Sequence, residues 1–352
     1  MAYSLTRLSD LAGHGFDEII DVRSPGEFAE DHLPGAVSLP VLSDDERARV
    51  GTLYKQESPF LARKVGAALV ARNAARHIET HFIDKPGSYR PLVYCWRGGM
   101  RSGALATILR QIGWRAETLD GGYRTYRRAV VSFVYEAGEL PGRFIVLSGN
   151  TGTAKTEILR RLEGQGAQVL DLEGLAHHRG SHFGGMEAAQ PSQKAFDAAI
   201  AVRLAGFRPE APILVEDESS RIGALSLPKL LWARMRTAPR IHIEADLSAR
   251  AGYLADAYGD ITADPARLGA VLERLSPYQP QARIKAWKAM AEDGDLTRLA
   301  GELMLHHYDR AYARQRARSA PPELGEVCVS AFSEAGLEAA ARDVWRLACS
   351  AA

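Results

Sequence analysis

The chain has 352 residues, with 44 basic and 43 acidic side chains for a net charge of +1, and 46% of its residues are hydrophobic. At about 150 residues per domain, that length points to a little over two domains, each able to bury a core. The composition excludes a collagen, a disordered tail and a disulfide scaffold. The balanced charge does not suit a duplex-coating protein, although a local basic patch would still serve RNA. Three cysteines, Cys95, Cys328 and Cys349, form no CxxC pair and fit a reducing compartment. No run reaches the roughly 18 apolar residues of a membrane span, so no membrane association is expected. The first ten residues lack the apolar core of a signal peptide, so a soluble, cytoplasmic protein is expected.

In chain order, Glu18 to Val22 and Pro91 to Cys95 read as short buried strands, with an amphipathic helix over Ala104 to Gly113. The polar stretch Tyr135 to Arg143, with Gly138, Pro141 and Gly142, reads as a linker. Strands follow at Phe144 to Leu147, Gln168 to Leu170, Ile213 to Val215 and Arg240 to Glu244, with helical patterns between them, which predicts a parallel sheet. From Leu247 to Ala317 the pattern is almost all helical, before a strand at Glu326 to Ser330 and a helix from Glu334 to Ala348. The expected class is α/β, with one domain over 8–135, a second α/β domain over 143–250, and a mostly helical region, 251–352, completing the second.

Two stretches carry chemistry. Cys95 ends an apolar strand and is followed by Trp96, Arg97, Gly98, Gly99, Met100 and Arg101, then by a helix. Such a strand–loop–helix aims backbone N–H groups and a helix N-terminus at whatever sits over the sulfur. Together with Arg97 and Arg101 these groups favour the thiolate, so Cys95 is the expected nucleophile and residues 96–101 its anion loop.

The second stretch, after the strand Phe144 to Leu147, is Gly149, Asn150, Thr151, Gly152, Thr153, Ala154, Lys155 and Thr156. It is close to G-x-x-x-x-G-K-[ST], with Ala154 for the last glycine, and its mechanism needs loop amides around a phosphate, Lys155 as a point charge and the Thr156 hydroxyl on Mg²⁺. Glu216 and Asp217, at an apolar strand end, are the candidates for the Mg²⁺ shell, set against a plain solvated acidic loop. His177, His178 and Arg179 read as a substrate-contacting loop, because adjacent histidines do not easily face one metal; no dedicated metal site is expected.

These residues also carry a family resemblance. Asp21, Val22 and Arg23, with Glu27, Phe28 and His32 to Val37, resemble the opening signature of rhodanese domains, and Cys95 to Ser102 and Asp120 to Tyr123 resemble their active loop and closing motif. Five residues separate Cys95 from Arg101, where most sulfurtransferases of that fold have four; the longer loop resembles that of rhodanese-fold phosphatases and suits a larger anion such as selenophosphate. With the phosphate loop, Leu170 to Gly180 and Val215 to Ser219, the chain resembles bacterial tRNA 2-selenouridine synthases.

That resemblance implies conversion of wobble 2-thiouridine to 2-selenouridine with selenophosphate, through an S-geranyl intermediate made from geranyl diphosphate. It implies no tightly bound cofactor, with Mg²⁺ as a companion of the diphosphate. It further implies that Cys95 carries selenium as a selanylsulfide, and that the phosphate loop stabilises departing pyrophosphate. A tRNA partner raises two patches to candidates: Arg124, Arg127 and Arg128 with Tyr123 and Tyr126, and the stretch His306 to Arg318 with Arg310 and Arg314. The rival readings are a rhodanese-fold phosphatase or sulfurtransferase fused to a P-loop kinase-like domain, and a non-enzymatic module gated by nucleotide at Lys155.

Overall fold

A computed structural model describes residues 2–97, 99–136, 140–181, 183–186, 188–257, 264–316 and 321–350; for Ala311 and for residues 314–316 it describes the backbone alone. Gly98 of the anion loop, the side chain of Arg314, and Arg318 therefore lie outside the described residues. The chain divides into two compact units, one of residues 1–137 with 191–206, the other of 138–190 with 207–352.

In the first unit, β1 (Ala2–Tyr3), β2 (Glu18–Asp21), β3 (Ala36–Ser38), β4 (Pro91–Tyr94) and β5 (Glu117–Leu119) form a parallel sheet in the order β1-β5-β4-β2-β3. β4 is buried along its whole length, as expected of a central parallel strand covered on both faces. The helices Pro59–His77 and Met100–Ile112 place Leu69, Val70, Leu105 and Leu109 against Ile20, Val22 and Val93. Burying each such side chain stabilises the fold by about 1.5–3 kcal/mol. The chain leaves the adjacent strands β2 and β4 toward opposite sides of the sheet, which opens a crevice at their carboxyl ends.

The helix Gln193–Ala205 also belongs to this unit, although it lies within the 143–250 stretch. It buries Phe196, Ile200 and Leu204, and its buried Asp197 accepts from Arg127 at 2.8 Å and from the Tyr135 hydroxyl at 3.0 Å.

The second unit holds β6 (Arg143–Gly149), β7 (Gln168–Leu170), β8 (Pro212–Glu216), the short hairpin β9 (Arg221–Ile222) and β10 (Leu225–Ser226), β11 (Arg240–Glu244) and β12 (Glu323–Cys328). Its main sheet is parallel, in the order β12-β11-β6-β8-β7. The expected last strand over 326–330 instead starts at Glu323. A register shift after the Arg240–Glu323 pair lets this polar edge segment join β11 earlier than its apolar residues suggest. Helices Leu247–Ala257, Pro265–Glu273, Gln281–Glu292 and Leu296–Leu303 follow β11, as the 3.6-residue periodicity predicts. Among the described residues, no helix is long and apolar enough to cross a membrane.

Candidate active sites

The Cys95 loop leaves the carboxyl end of β4 and enters the helix Met100–Ile112 through Gly99, which caps the helix in the left-handed region (φ +72°). Cys95 is buried; its thiol lies 3.6 Å from the Arg97 carbonyl, and the buried Ser102 hydroxyl donates to Sγ at 3.3 Å. The loop is pinned from behind, where the backbone N–H groups of Tyr123 and Arg124 donate to the carbonyls of Cys95 (2.8 Å) and Trp96 (3.1 Å). That approach requires Gly122. Its φ is +60°, and a Cβ there would stand 2.3 Å from the Cys95 carbonyl oxygen.

The motif residues around the loop form its frame. Arg23 and Asp21 are a buried pair at 2.7 Å, Arg23 lies 4.0 Å over the Tyr123 ring, and the Tyr123 hydroxyl donates to Asp31 at 2.8 Å. Arg101 is held by Glu27 through bonds of 2.8 and 3.3 Å. Burial works to raise the Glu27 carboxyl, but Arg101, the Ser24 N–H and Arg47 together outweigh it and hold the group at about 2. Trp96, Arg97 and Met100 are exposed.

In the second unit, the phosphate loop joins β6 to the helix Lys155–Gly164. Gly149 admits the neighbouring strand, since a Cβ there would lie 2.5 Å from the Ile243 carbonyl oxygen. Ala154, in the place of the usual last glycine, takes the left-handed conformation itself (φ +58°). Lys155 Nζ donates to the Gly149 and Asn150 carbonyls at 2.9 and 3.2 Å, and the Thr153 hydroxyl to Asn150 O at 2.9 Å. Arg250, which sequence reasoning missed, bonds the Thr151 carbonyl at 3.0 Å and pairs with Asp309 at 2.8 Å.

Acids face this loop. Thr156 donates to Glu173 at 3.1 Å, and Glu216 Oε2 accepts from the N–H of Leu172 at 2.9 Å. The other Glu216 oxygen is buried with no hydrogen-bond partner among the described residues. Burial, with the charge of Asp171, raises the Glu173 and Glu216 carboxyls, and burial with the neighbouring Glu173 pushes Glu218 up to about 8. Burial lowers the Lys155 ammonium, against the pull of Glu173, Glu218, Asp217 and Glu216.

Asp217, by contrast, is paired with Arg240. Asp217 still lines the cleft with the other acids, and Glu173 is the acid that bonds Thr156 directly. Glu173 lies in the short helix Leu172–Ala176 after β7 and Glu218 on the loop after β8, and no spacing rule singles them out. Together with Lys155, Thr156, His178 and Arg179, the three glutamates line one cleft of about 880 Å³. His177 is instead exposed, in the left-handed region (φ +49°), with Nδ1 3.1 Å from the Ala189 carbonyl.

The basic patches divide differently from the expectation. Tyr123 and Tyr126 are buried and so are not base-contacting rings, and Arg127 is committed to Asp197 and to the Lys194 carbonyl. Arg124 and Arg128 are exposed. In the second patch Arg310 is exposed, whereas His307, Tyr308 and Tyr312 line the phosphate-loop cleft.

Comparison with known proteins matches both units. Residues 4–129 match the rhodanese-like domain, and residues 142–267 match the tRNA 2-selenouridine synthase AAA domain. Curated relatives named tRNA 2-selenouridine synthase include those of Nitrosomonas europaea (36% identical, covering 68% of this chain and 63% of the relative) and Alcanivorax borkumensis (39% identical, covering 66% and 64%). That of Bdellovibrio bacteriovorus is 38% identical and covers 68% and 64%. The chain thus spans a little under two thirds of the length of the relatives it matches. With a rhodanese-like domain followed by that AAA domain, the chain is similar in both units to the tRNA 2-selenouridine synthases.

Proposed function

We propose that this chain is a cytoplasmic tRNA-modifying transferase that converts wobble 2-thiouridine to 2-selenouridine with selenophosphate, through S-geranyl-2-thiouridine made from geranyl diphosphate. The observation that carries the diphosphate step is a small apolar pocket that shares Thr151, Ser181, Leu254 and Tyr308 with the phosphate-loop cleft. The pocket has a volume of about 50 Å³, and its walls include Thr151, Phe183, Leu254, Leu268, Leu299 and Leu303. At about 10–15 Å³ per water-sized sphere, it takes about four carbon-sized groups, close to one isoprene unit. A nucleoside gains little on such a surface, whereas a hydrocarbon tail gains roughly 25 cal/mol for each Å² it buries.

In this reading the thiocarbonyl sulfur attacks the first carbon of the geranyl chain, the carbon–oxygen bond breaks, pyrophosphate departs with the electron pair, and the N3 proton is released. Lys155 and the loop amides hold the charge that develops on the leaving oxygen, an electrostatic role that requires no nucleotide hydrolysis. Thr156, Glu173 and Glu216 suit Mg²⁺, since the unpartnered Glu216 oxygen gives the set an open hard donor. When bound, that ion supplies further neutralisation of the diphosphate. Selenium then displaces the S-geranyl group at C2. The exposed Arg124, Arg128 and Arg310 are the proposed contacts to the tRNA backbone.

The test supplies purified protein with a thiolated anticodon stem-loop, geranyl diphosphate and Mg²⁺, with and without selenophosphate, followed by mass spectrometry of the nucleosides. S-geranyl-2-thiouridine without selenophosphate and 2-selenouridine with it are the expected products. Nucleotide hydrolysis with neither product would refute the assignment.

A further inference from the structure

We propose that Cys95 attacks the phosphorus of its donor and not the selenium, so that the thiol cradle is a phosphoryl-transfer site that releases selenide through an S-phosphocysteine. The choice of selenophosphate as donor rests on the proposed function; the phosphorus chemistry stands on the geometry of the loop.

Three features of the cradle point to a phosphoryl group. The loop places five residues between Cys95 and Arg101, room for an anion larger than one sulfur or selenium atom. The helix Met100–Ile112 begins inside the loop, so its first N–H groups and dipole face an anion seated over the sulfur. Ser102, directly after Arg101 and only 1% exposed, turns its hydroxyl to Sγ at 3.3 Å, where it stabilises the sulfur when it departs as thiolate. Cys95 itself is 2% exposed, which excludes a bulky phosphoprotein and leaves a small free anion as the substrate.

Electron accounting selects the same atom. Selenium in selenophosphate is already at the oxidation level of selenide. Joining it to Cys95 as a selanylsulfide would require removal of two electrons, and neither substrate is an oxidant. Attack at phosphorus balances. The Cys95 thiolate forms an S–P bond, the P–Se bond breaks, and its electron pair leaves on hydrogen selenide. Water then attacks the phosphorus, the S–P pair returns to Cys95, and phosphate departs with the proton. The selenide so released is the nucleophile that displaces the geranylthiolate at C2 of the modified uridine. Ser102 is a positioning residue, acting through the sulfur.

The experiment omits tRNA. The full chain is mixed with selenophosphate, or with p-nitrophenyl phosphate as a tRNA-independent probe, rapidly quenched, and measured by intact mass and peptide mapping. The expected result is a phosphoryl adduct on Cys95 with both compounds, absent in Cys95→Ser, with release of free selenide or nitrophenol. Ser102→Ala, checked for an unchanged melting temperature, should accumulate the adduct because its hydrolysis slows, and Ser102→Thr should restore turnover. A selenium adduct on Cys95, or no phosphoryl adduct with either compound, overturns the inference. A protein that forms the phosphoryl adduct yet never yields 2-selenouridine keeps this chemistry and loses the tRNA assignment. One that yields 2-selenouridine without the adduct does the reverse.

Discussion

Replacing Gly122 by alanine tests whether the closing motif positions the reactive loop. At φ +60° and ψ −150° the residue occupies a region open essentially to glycine alone, and holding another residue there costs about 1–3 kcal/mol. The added Cβ would stand 2.3 Å from the Cys95 carbonyl oxygen and 3.2 Å from the carbonyl carbons of Cys95 and Trp96. All three are backbone atoms and cannot swing aside as a side-chain tip does, so an overpacking cost of about 1–3 kcal/mol adds to the strain. The sum is about 2–6 kcal/mol, and for a unit of this size each kcal/mol lowers Tm by roughly 2–4 °C, a fall of roughly 4–24 °C.

If the loop yields instead of the whole unit, the bonds from Tyr123 and Arg124 to the Cys95 and Trp96 carbonyls lengthen and the buried thiol opens to solvent. Alkylation followed by peptide mapping reads this directly, with the exposed Cys328 and Cys349 as internal standards. In the wild type Cys95 should react far more slowly than those two, and in Gly122→Ala its rate should approach theirs. Gly51→Ala, inside the helix Asp44–Gln56 with nothing within 4 Å of the added atom, is the control and should stabilise by about 0.5–1 kcal/mol. A Gly122→Ala protein with wild-type Tm and wild-type Cys95 alkylation would refute the role given to the motif.

Glu27 sits at about 2, below its ordinary 4.5, so its stabilisation is full above pH 4.5 and is lost as pH falls toward 2. The ceiling is about 3 kcal/mol; in thermal melts the gap between wild type and Glu27→Gln should shrink between pH 5 and 3 (approximate bounds of that window), and a constant gap would contradict the pairing with Arg101. Lys155→Ala should slow geranylation about 10²–10³-fold while pre-geranylated tRNA still accepts selenium. Equal loss of both reactions in a variant of wild-type Tm would disprove that division of labour. Ala154→Gly relieves a left-handed strain of about 1–2 kcal/mol and adds about 0.5–1 kcal/mol of chain entropy in the unfolded state. Its Tm should hold or rise slightly, and a clear fall would show that the alanine methyl is needed for packing.

Both anion loops are legible in the sequence because each is a local object: an apolar strand, a run of small residues, one reactive side chain, then a helix. What the sequence conceals is long-range. Arg101 meets Glu27 74 positions away, and Arg127 meets Asp197 70 positions away, so two arginines that look free to bind anions or RNA are tied inside the first unit. The direction of the rings in the helix Tyr123–Val131 was nevertheless readable. Tyr123, Tyr126 and Val130 follow a helical repeat, and all three are buried, so that face is core, and Arg124 and Arg128 turn outward while Arg127 is held by Asp197. The helix Gln193–Ala205 shows the opposite limit, since its apolar face fits either unit by periodicity and only the tertiary structure assigns it to the first.

The two cradles handle negative charge in opposite ways. Around Cys95 the sulfur meets the Ser102 hydroxyl and the Arg97 carbonyl just before a helix N-terminus, and the nearby carboxylate, Glu27, is neutralised by Arg101 and Arg47. Such a site accepts a free anion without help. Around Lys155 three glutamates share a buried cleft with one ammonium, and burial first, then neighbouring acids, raises their carboxyls. A bare diphosphate arriving there would add to the repulsion, whereas a magnesium-bound diphosphate brings two positive charges to the same oxygens. Under the proposed function the chemistry would divide accordingly, with the selenium donor at the thiol site and a magnesium-bound allylic diphosphate at the phosphate loop.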